Sequence, residues 1–158
     1  MKKRLIALLL TTCLAFSATG CGGNKDLTKY KNEMDAFFAD VEVIHNKINT
    51  INYESETAID ELLAYLDDLD KEFKSMAAID VPKEFSSIES LADEASENMT
   101  LAVEKYHEAY SKDSYNEYTD ATADEYYKRA NKRFQYIIDI LHGQMPEGDD
   151  ITIEEEEE

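Results

Sequence analysis

Glycine and proline are almost absent from the middle of this chain. Of its 158 residues only five are glycine and two are proline, and residues 24–142 contain no glycine and the single proline Pro82. Sandwiches, barrels and doubly wound α/β folds need turn residues, above all glycine, at short intervals. The scarcity argues against those folds and predicts an all-α protein.

Basic side chains are scarce as well. The chain has 16 lysines and arginines against 35 aspartates and glutamates, a formal net charge of −19 at pH 7. Affinity for DNA or RNA comes mostly from lysine and arginine side chains that neutralise phosphates. We therefore expect no nucleic-acid partner.

The apolar stretch at the N-terminus is too short to span a membrane. Residues 5–16 are mostly apolar, whereas a helix needs ~20 apolar residues to cross the hydrocarbon core. Lys2, Lys3 and Arg4 precede this stretch, and a positive segment followed by a short apolar one is typical of a secretory signal peptide. We therefore predict that residues 1–20 direct export.

Small residues precede a cysteine at the end of this signal, in the order Ala18-Thr19-Gly20-Cys21. This ending resembles the lipobox of bacterial lipoproteins. The resemblance implies that diacylglycerol is attached to the sulfur of Cys21, that the chain is cleaved before it, and that residues 21–26 form a flexible tether. Two acyl chains, at ~0.8 kcal/mol per buried methylene, anchor a protein stably. The alternative is an ordinary signal-peptidase site after Ser17, which leaves a secreted protein.

The chain has only two cysteines, and they belong to different parts of it. Cys13 lies within the signal peptide, so Cys21 is the only thiol expected after processing. We therefore predict that the processed chain has no internal disulfide.

Apolar residues recur at every third or fourth position beyond residue 26. A period near 3.5 keeps one side of a helix facing a partner along its whole length, which is typical of helical bundles. The first run covers residues 27–51 and the second covers residues 59–76, one residue out of phase, so we predict a break near residues 49–55. One kinked continuous helix is the alternative. The predicted inward positions are Leu27, Tyr30, Met34, Phe37, Val41, Ile44, Ile48, Ile51, Ile59, Leu62, Leu66, Leu69, Phe73 and Met76.

Two further helices are predicted after Pro82, which suits a first helical turn but cannot continue a helix. Ser114 and Glu117 have the spacing of a capping box at the start of helix four, and Gly143 is placed to end that helix. Short connections favour antiparallel neighbours, so residues 27–143 are predicted to form an up-down-up-down bundle. The predicted inward positions are Phe85, Ile88, Ala92, Ala95, Met99, Ala102, Tyr106, Ala109, Ala123, Tyr127, Ala130, Phe134, Ile137 and Leu141.

The C-terminal segment is strongly acidic. The chain ends in five consecutive glutamates, within a stretch that also contains Glu147, Asp149 and Asp150. Such a composition cannot bury enough apolar surface to fold. We predict that residues 144–158 form a disordered acidic tail.

Two Glu-x-x-His pairs provide the strongest indication of a metal site. Glu42 with His45 and Glu104 with His107 have the spacing that di-iron bundle proteins use. The heptad phase places Ile44 and Tyr106 inward, so we expect all four of these side chains on flanking or outer positions, where a dimetal site cannot form. We therefore predict no metal and no other cofactor.

Tyrosines cluster around the turn between helices three and four. Tyr106, His107, Tyr110, Tyr115 and Tyr118 form a candidate contact patch for a protein, peptide or glycan, since tyrosine combines apolar area with a hydroxyl. The alternative is that these tyrosines complete the helical core at its solvent-exposed end.

One basic group lies on the predicted fourth helix. It consists of Lys128, Arg129, Lys132 and Arg133, and we expect it to form salt bridges with the acidic second helix, with an anion site as the alternative.

The lipobox, the glycine-free helical segments and the acidic tail together resemble the small Gram-positive-type lipoproteins with helical ectodomains. The resemblance implies a place on the extracytoplasmic face of the bacterial cell membrane, and Cys21 is the one residue it identifies. We expect a non-enzymatic lipoprotein whose bundle binds a protein partner or serves as an envelope scaffold. The alternative is a ligand- or metal-binding bundle, with or without catalytic activity, that uses His45 or His107 and nearby carboxylates. The sequence leaves the partner and the oligomeric state open.

Overall fold

A computed structural model describes residues 25–111 and 115–146. In those two ranges the chain forms four α-helices, one 3-10 turn and no strand, which confirms the all-α prediction. The predicted signal peptide, Cys21, the start of the tether, Ser114 and residues 147–158 of the acidic tail lie outside the described residues. The elements are α1 (Lys25–Asn49), α2 (Ala58–Ala77), the 3-10 turn (Lys83–Phe85), α3 (Ser87–Ala109) and α4 (Glu117–Leu141).

Consecutive helices run antiparallel. The ring centroids of Phe37 on α1 and Phe73 on α2 lie 5.6 Å apart, while the later Lys47 on α1 lies over the ring of the earlier Tyr65 on α2. The same reversal of order relates α2 to α3 and α3 to α4, in the pairs Asp67 with His107, Asp70 with Thr100, Tyr106 with Asp124, and Glu94 with Arg133. The helices therefore form the predicted up-down-up-down bundle.

This topology divides the bundle into two halves. The connections after Asn49 and after Ala109 lie at one end, and we call this the far half. The start of α1 at Lys25, the end of α4 at Leu141 and the connection between α2 and α3 lie at the other end, which we call the near half.

Polar side chains, rather than glycine, form the turn between α1 and α2. The Asn52 carboxamide oxygen accepts the backbone N–H of Glu54 at 3.2 Å, and the hydroxyls of Ser55 and Thr57 lie 2.8 Å apart. Asparagine and serine side chains can replace backbone partners in this way, which lets a chain reverse without glycine. Helices α1 and α2 are therefore separate, and the alternative of one kinked helix is wrong.

Two of the predicted helix ends agree with the structure, and one does not. Pro82 is extended and is followed directly by the 3-10 turn, so a new helical segment begins there, although α3 itself begins at Ser87. Gly143 has a positive φ of 72° and closes a Schellman motif, in which its own N–H and that of Gln144 bond the carbonyls of Ile140 and Asp139.

The predicted capping box at the start of α4 is wrong. Glu117 is the first residue of α4 and Asn116 is the N-cap, whose side-chain oxygen accepts the backbone N–H groups of Tyr118 and Thr119, each at 3.1 Å. One asparagine oxygen thus satisfies two of the donors that a helix start leaves open.

The predicted inward positions are buried with few exceptions. Leu27 and Phe85 are half-buried, at the ends of their stripes. Ile59 is 44% exposed, so its assignment to the core was wrong, and the neighbouring Ala58 is buried in its place. In the near half the core is aromatic: the rings of Phe37, Phe73 and Phe134 meet edge to face with centroids 5.4 to 5.7 Å apart.

Candidate functional site

The near half buries Tyr30 and Tyr136, and the far half buries a larger group of polar side chains that bond one another between helices. Four of them lie on one side of α4, at Asp120, Asp124, Tyr127 and Asn131. Residues three and four positions apart share a side of a helix, so this spacing forms a row that runs down from the start of α4 into the bundle. We call this row, together with the side chains it bonds, the polar core.

His45 is the partner of Tyr127 in the polar core. Its Nε2 lies 3.2 Å from the Tyr127 hydroxyl, and only 7% of His45 is exposed. The prediction of a flanking or outer position was right about the flank, but it did not foresee that the side chain is buried. The residue is one position beyond the inward Ile44, and α4 covers that flank of α1, which the heptad phase of α1 alone cannot show. Burial lowers the pKa of His45 from 6.5 to about 4, because the protonated ring loses its hydration.

Tyr106 and Asp124 form a second pair. The Tyr106 hydroxyl donates to the Asp124 carboxylate at 2.6 Å, and the Tyr106 ring contacts that of Tyr127 edge to face. The pKa of Tyr106 is raised, first by burial and then by its bond to the carboxylate, since both disfavour the phenolate. The carboxylate in turn gains a hydrogen-bond donor that partly replaces water.

A third group of bonded side chains lies at the start of α4. Asp120 is 7% exposed and accepts the Tyr115 hydroxyl at 2.7 Å, while the ring of Tyr110 lies 5.4 Å from that of Tyr115. Asp120 is also in the first turn of α4, where the helix dipole favours a negative charge. Burial, followed by the neighbouring Asp120, raises the pKa of Tyr110.

Asn131 ends the polar core towards the middle of the bundle. Its amide nitrogen donates to the Tyr127 carbonyl at 2.9 Å, whereas its buried oxygen has no hydrogen-bond partner among the described residues. The polar core is therefore satisfied almost completely by side chains and backbone of the chain itself.

The four residues of the predicted alternative metal site do not come together. His45 bonds Tyr127, whereas His107 lies on the outside of α3 with its Nε2 2.8 Å from the Asp67 carboxylate. Glu42 and Glu104 are exposed, as predicted. Within the described ranges no group of three or more histidine, cysteine, aspartate and glutamate side chains is arranged to hold a metal ion.

The structure also divides the predicted tyrosine patch. Tyr106 is 1% exposed and belongs to the polar core, so including it in a contact surface was wrong. Tyr115 and Tyr118 are exposed by 55% and 83%, and His107 is exposed as well. Tyr110 is half-buried beneath Tyr115. The predicted patch thus combined a buried layer with the exposed residues above it.

The far end exposes two further large apolar side chains, which the sequence analysis missed. Tyr53 lies in the connection after α1 and is 58% exposed, and Ile59 lies in the first turn of α2. The antiparallel topology brings these residues to the same end of the bundle as Tyr115 and Tyr118. We call this end of the bundle, with its exposed side chains Tyr53, Ile59, Tyr115 and Tyr118, the tip. A tyrosine within the predicted break between the first two helices was the available signal.

The basic group on α4 does not pair with α2 in the way the sequence analysis expected. Arg133 forms an ion pair with Glu94 of α3, and Lys128 pairs with Glu125 one turn away on α4 itself. The guanidinium of Arg129 lies 5.5 Å from the centre of the Tyr126 ring. The expectation was wrong because α4 packs most extensively against α3, which therefore supplies the nearest carboxylate.

The chain was compared with protein-family models, with curated proteins and with solved structures, and none of the three comparisons finds a match.

Proposed function

We propose that this protein is a non-enzymatic lipoprotein, anchored on the extracytoplasmic face of a bacterial membrane, whose helical bundle serves as a protein-binding or envelope scaffold module. The observation that carries the proposal is Cys21, preceded by Ala18, Thr19 and Gly20 in a sequence that resembles a lipobox. Helix α1 begins at Lys25, four positions later, so a tether of very few residues separates the cysteine from the folded bundle.

The described helices are compatible with a tethered domain. None of the helices in residues 25–111 and 115–146 has the length and apolar content needed to cross a bilayer. In this proposal the diacylglycerol on Cys21 provides the attachment, with ~0.8 kcal/mol per methylene that enters the lipid.

The hydrogen bonds of the titratable side chains in the polar core support a binding module rather than a catalyst. His45, Asp120 and Asp124 each bond a tyrosine hydroxyl of the protein itself. A general acid or base has to reach a substrate proton directly or through one water molecule. Side chains that are buried and bonded to one another instead hold the helices in place.

The proposal is tested by replacing Cys21. In the source bacterium the Cys21→Ala variant should move from the membrane fraction to the soluble fraction or the medium, because it has no sulfur to acylate. Cys13→Ala is the matched control, since it removes the other cysteine and leaves the lipobox intact, and it should remain in the membrane fraction. If Cys21→Ala stays membrane-bound, or if metabolic labelling with a fatty acid marks both variants equally, the anchoring proposal is wrong.

A further inference from the structure

The tip carries exposed apolar area at the end of the bundle farthest from the proposed anchor. Tyr118 is 83% exposed, Tyr53 58% and Ile59 44%. Helix α1 has 25 residues, and at ~1.5 Å per residue it places the tip ~37 Å above the tether. Single exposed apolar residues are common, but several at one end of a small bundle mark an interaction surface.

Acidic side chains surround the part of the tip that lies between α1 and α2. Residues 50–63 contain Glu54, Glu56, Asp60 and Glu61 and no lysine or arginine, and those four carboxylates lie on exposed residues. On α4, Glu117 and Glu125 are exposed, whereas Asp120 and Asp124 belong to the polar core, and Arg129 lines the same surface pocket as Tyr118. A partner that docks on the tip therefore meets tyrosine rings set among carboxylates.

This combination has a definite chemical complement. Tyrosine faces attract ammonium and guanidinium groups, and Arg129 over the Tyr126 ring shows that contact within this chain. Surrounding carboxylates attract a cationic partner over a longer range and accelerate its association. An acidic partner, or a second copy of this strongly acidic chain, would instead be repelled.

The polar core gives the tip a rigid base. The Tyr115 hydroxyl bonds Asp120, and Asn116, two positions before Tyr118, caps α4. Aromatic side chains on an ordered backbone lose little conformational entropy on binding, which is why they contribute much of the energy at protein interfaces.

We propose that the tip, with its exposed side chains Tyr53, Ile59, Tyr115 and Tyr118, binds a cationic polypeptide segment of another protein, rich in lysine or arginine. This inference rests on the proposed function, because it specifies the surface and the partner chemistry of the binding module. Tyrosine rings supply cation–π contacts, Ile59 supplies apolar contact, and the flanking carboxylates orient the segment.

The test measures the binding of a short, labelled peptide of arginine and serine to the purified protein by fluorescence anisotropy. The protein is produced from the full-length chain as the host processes it. Tyr118→Ser and Tyr53→Ser should each weaken binding about fivefold, the equivalent of ~1 kcal/mol for one lost cation–π contact. Both substitutions leave the charge of the protein unchanged, so a loss of affinity locates the contact at the tip.

Met145→Ser is the matched control, because Met145 is 71% exposed but follows α4 in the near half. It should bind the peptide as the wild type does. Equal affinities for all these variants, or equal losses that include Met145→Ser, would overturn the tip as the binding surface. Concentration-dependent self-association that disappears in Tyr118→Ser would also overturn the inference, in favour of a second copy as the occupant.

Crosslinking on intact cells separates a failure of this inference from a failure of the proposed function. If a partner is captured equally by the wild type and Tyr118→Ser, the tip inference fails while the binding module stands. If Cys21→Ala is not released from membranes, the anchoring proposal fails, whatever the peptide measurements show.

Discussion

In the near half of the bundle, the rings of Phe37, Phe73 and Phe134 pack edge to face, whereas the far half encloses His45, Tyr127 and the carboxylates of α4. Apolar contact is strong in sum, but it depends mainly on the area removed from water and has little directional preference. Hydrogen bonds between buried groups require defined distances and angles. The near half is thus suited to hold the helices together, and the far half to set their relative heights and to support the tip.

The largest effect on stability should follow from removing a buried phenylalanine ring from the near half. Phe134 is 2% exposed and contacts three other phenylalanine rings, so Phe134→Ala should lower the free energy of unfolding by ~4 kcal/mol through lost burial and a residual cavity. Urea denaturation measures this change. Phe38→Ala is the control, because Phe38 contacts the same ring but is only half-buried, and its loss should be clearly smaller. Equal losses would contradict the claim that the buried ring of Phe134 is what stabilises the near half.

The far half should make the stability depend on pH. Folding lowers the pKa of His45 from 6.5 to about 4, so between these values the unfolded chain binds the additional proton. The free energy of unfolding should have its full value above pH 6.5 and should decrease as the pH is lowered towards 4. His45 should account for about 3 kcal/mol of that decrease.

Denaturation at a pH above 6.5 and at one near 4 isolates that contribution. His45→Gln should lose less stability over this interval than the wild type. If the two proteins show the same pH dependence, His45 is not held neutral by the far half.

A smaller effect should follow from removing one hydroxyl of the polar core. Tyr106→Phe keeps the buried ring but takes the donor from Asp124, so we expect a loss of ~2 kcal/mol, as for a hydrogen bond to a charged group. The double variant Tyr106→Phe with Asp124→Asn should be less destabilised than the sum of the two single variants. Strict additivity would mean that the two side chains do not interact.

Most of the helical architecture could be predicted from the sequence. The inward residues at a spacing near 3.5 identified the stripes from Tyr30 to Ile48 and from Ala123 to Leu141, which the structure confirms as buried. Gly143 was predicted to end α4 because only a residue that tolerates a positive φ suits that position, and it does end there. These features depend on residues a few positions apart, so one segment contains all the information they need.

The candidate site was predicted only in part. Tyr115 and Tyr118 were named from their place in the turn, but Tyr53 and Ile59 join them only because the bundle brings two connections to the same end. The cap at Asn116 was missed because Ser114 and Glu117 offered an equally good local pattern, and only the backbone path decides which side chain reaches the open N–H groups.

Local order in the chain thus determined where the helices lie, which side of each faces inward and how α4 ends, since a helix repeats over a few residues. Tertiary packing decided that His45 is buried against Tyr127 and that Arg133 pairs with Glu94 of α3. A residue on the flank of a helix is buried or exposed according to which neighbouring helix covers it. The arrangement of four helices around a common axis sets that outcome, and the periodicity of a single helix contains no information about it.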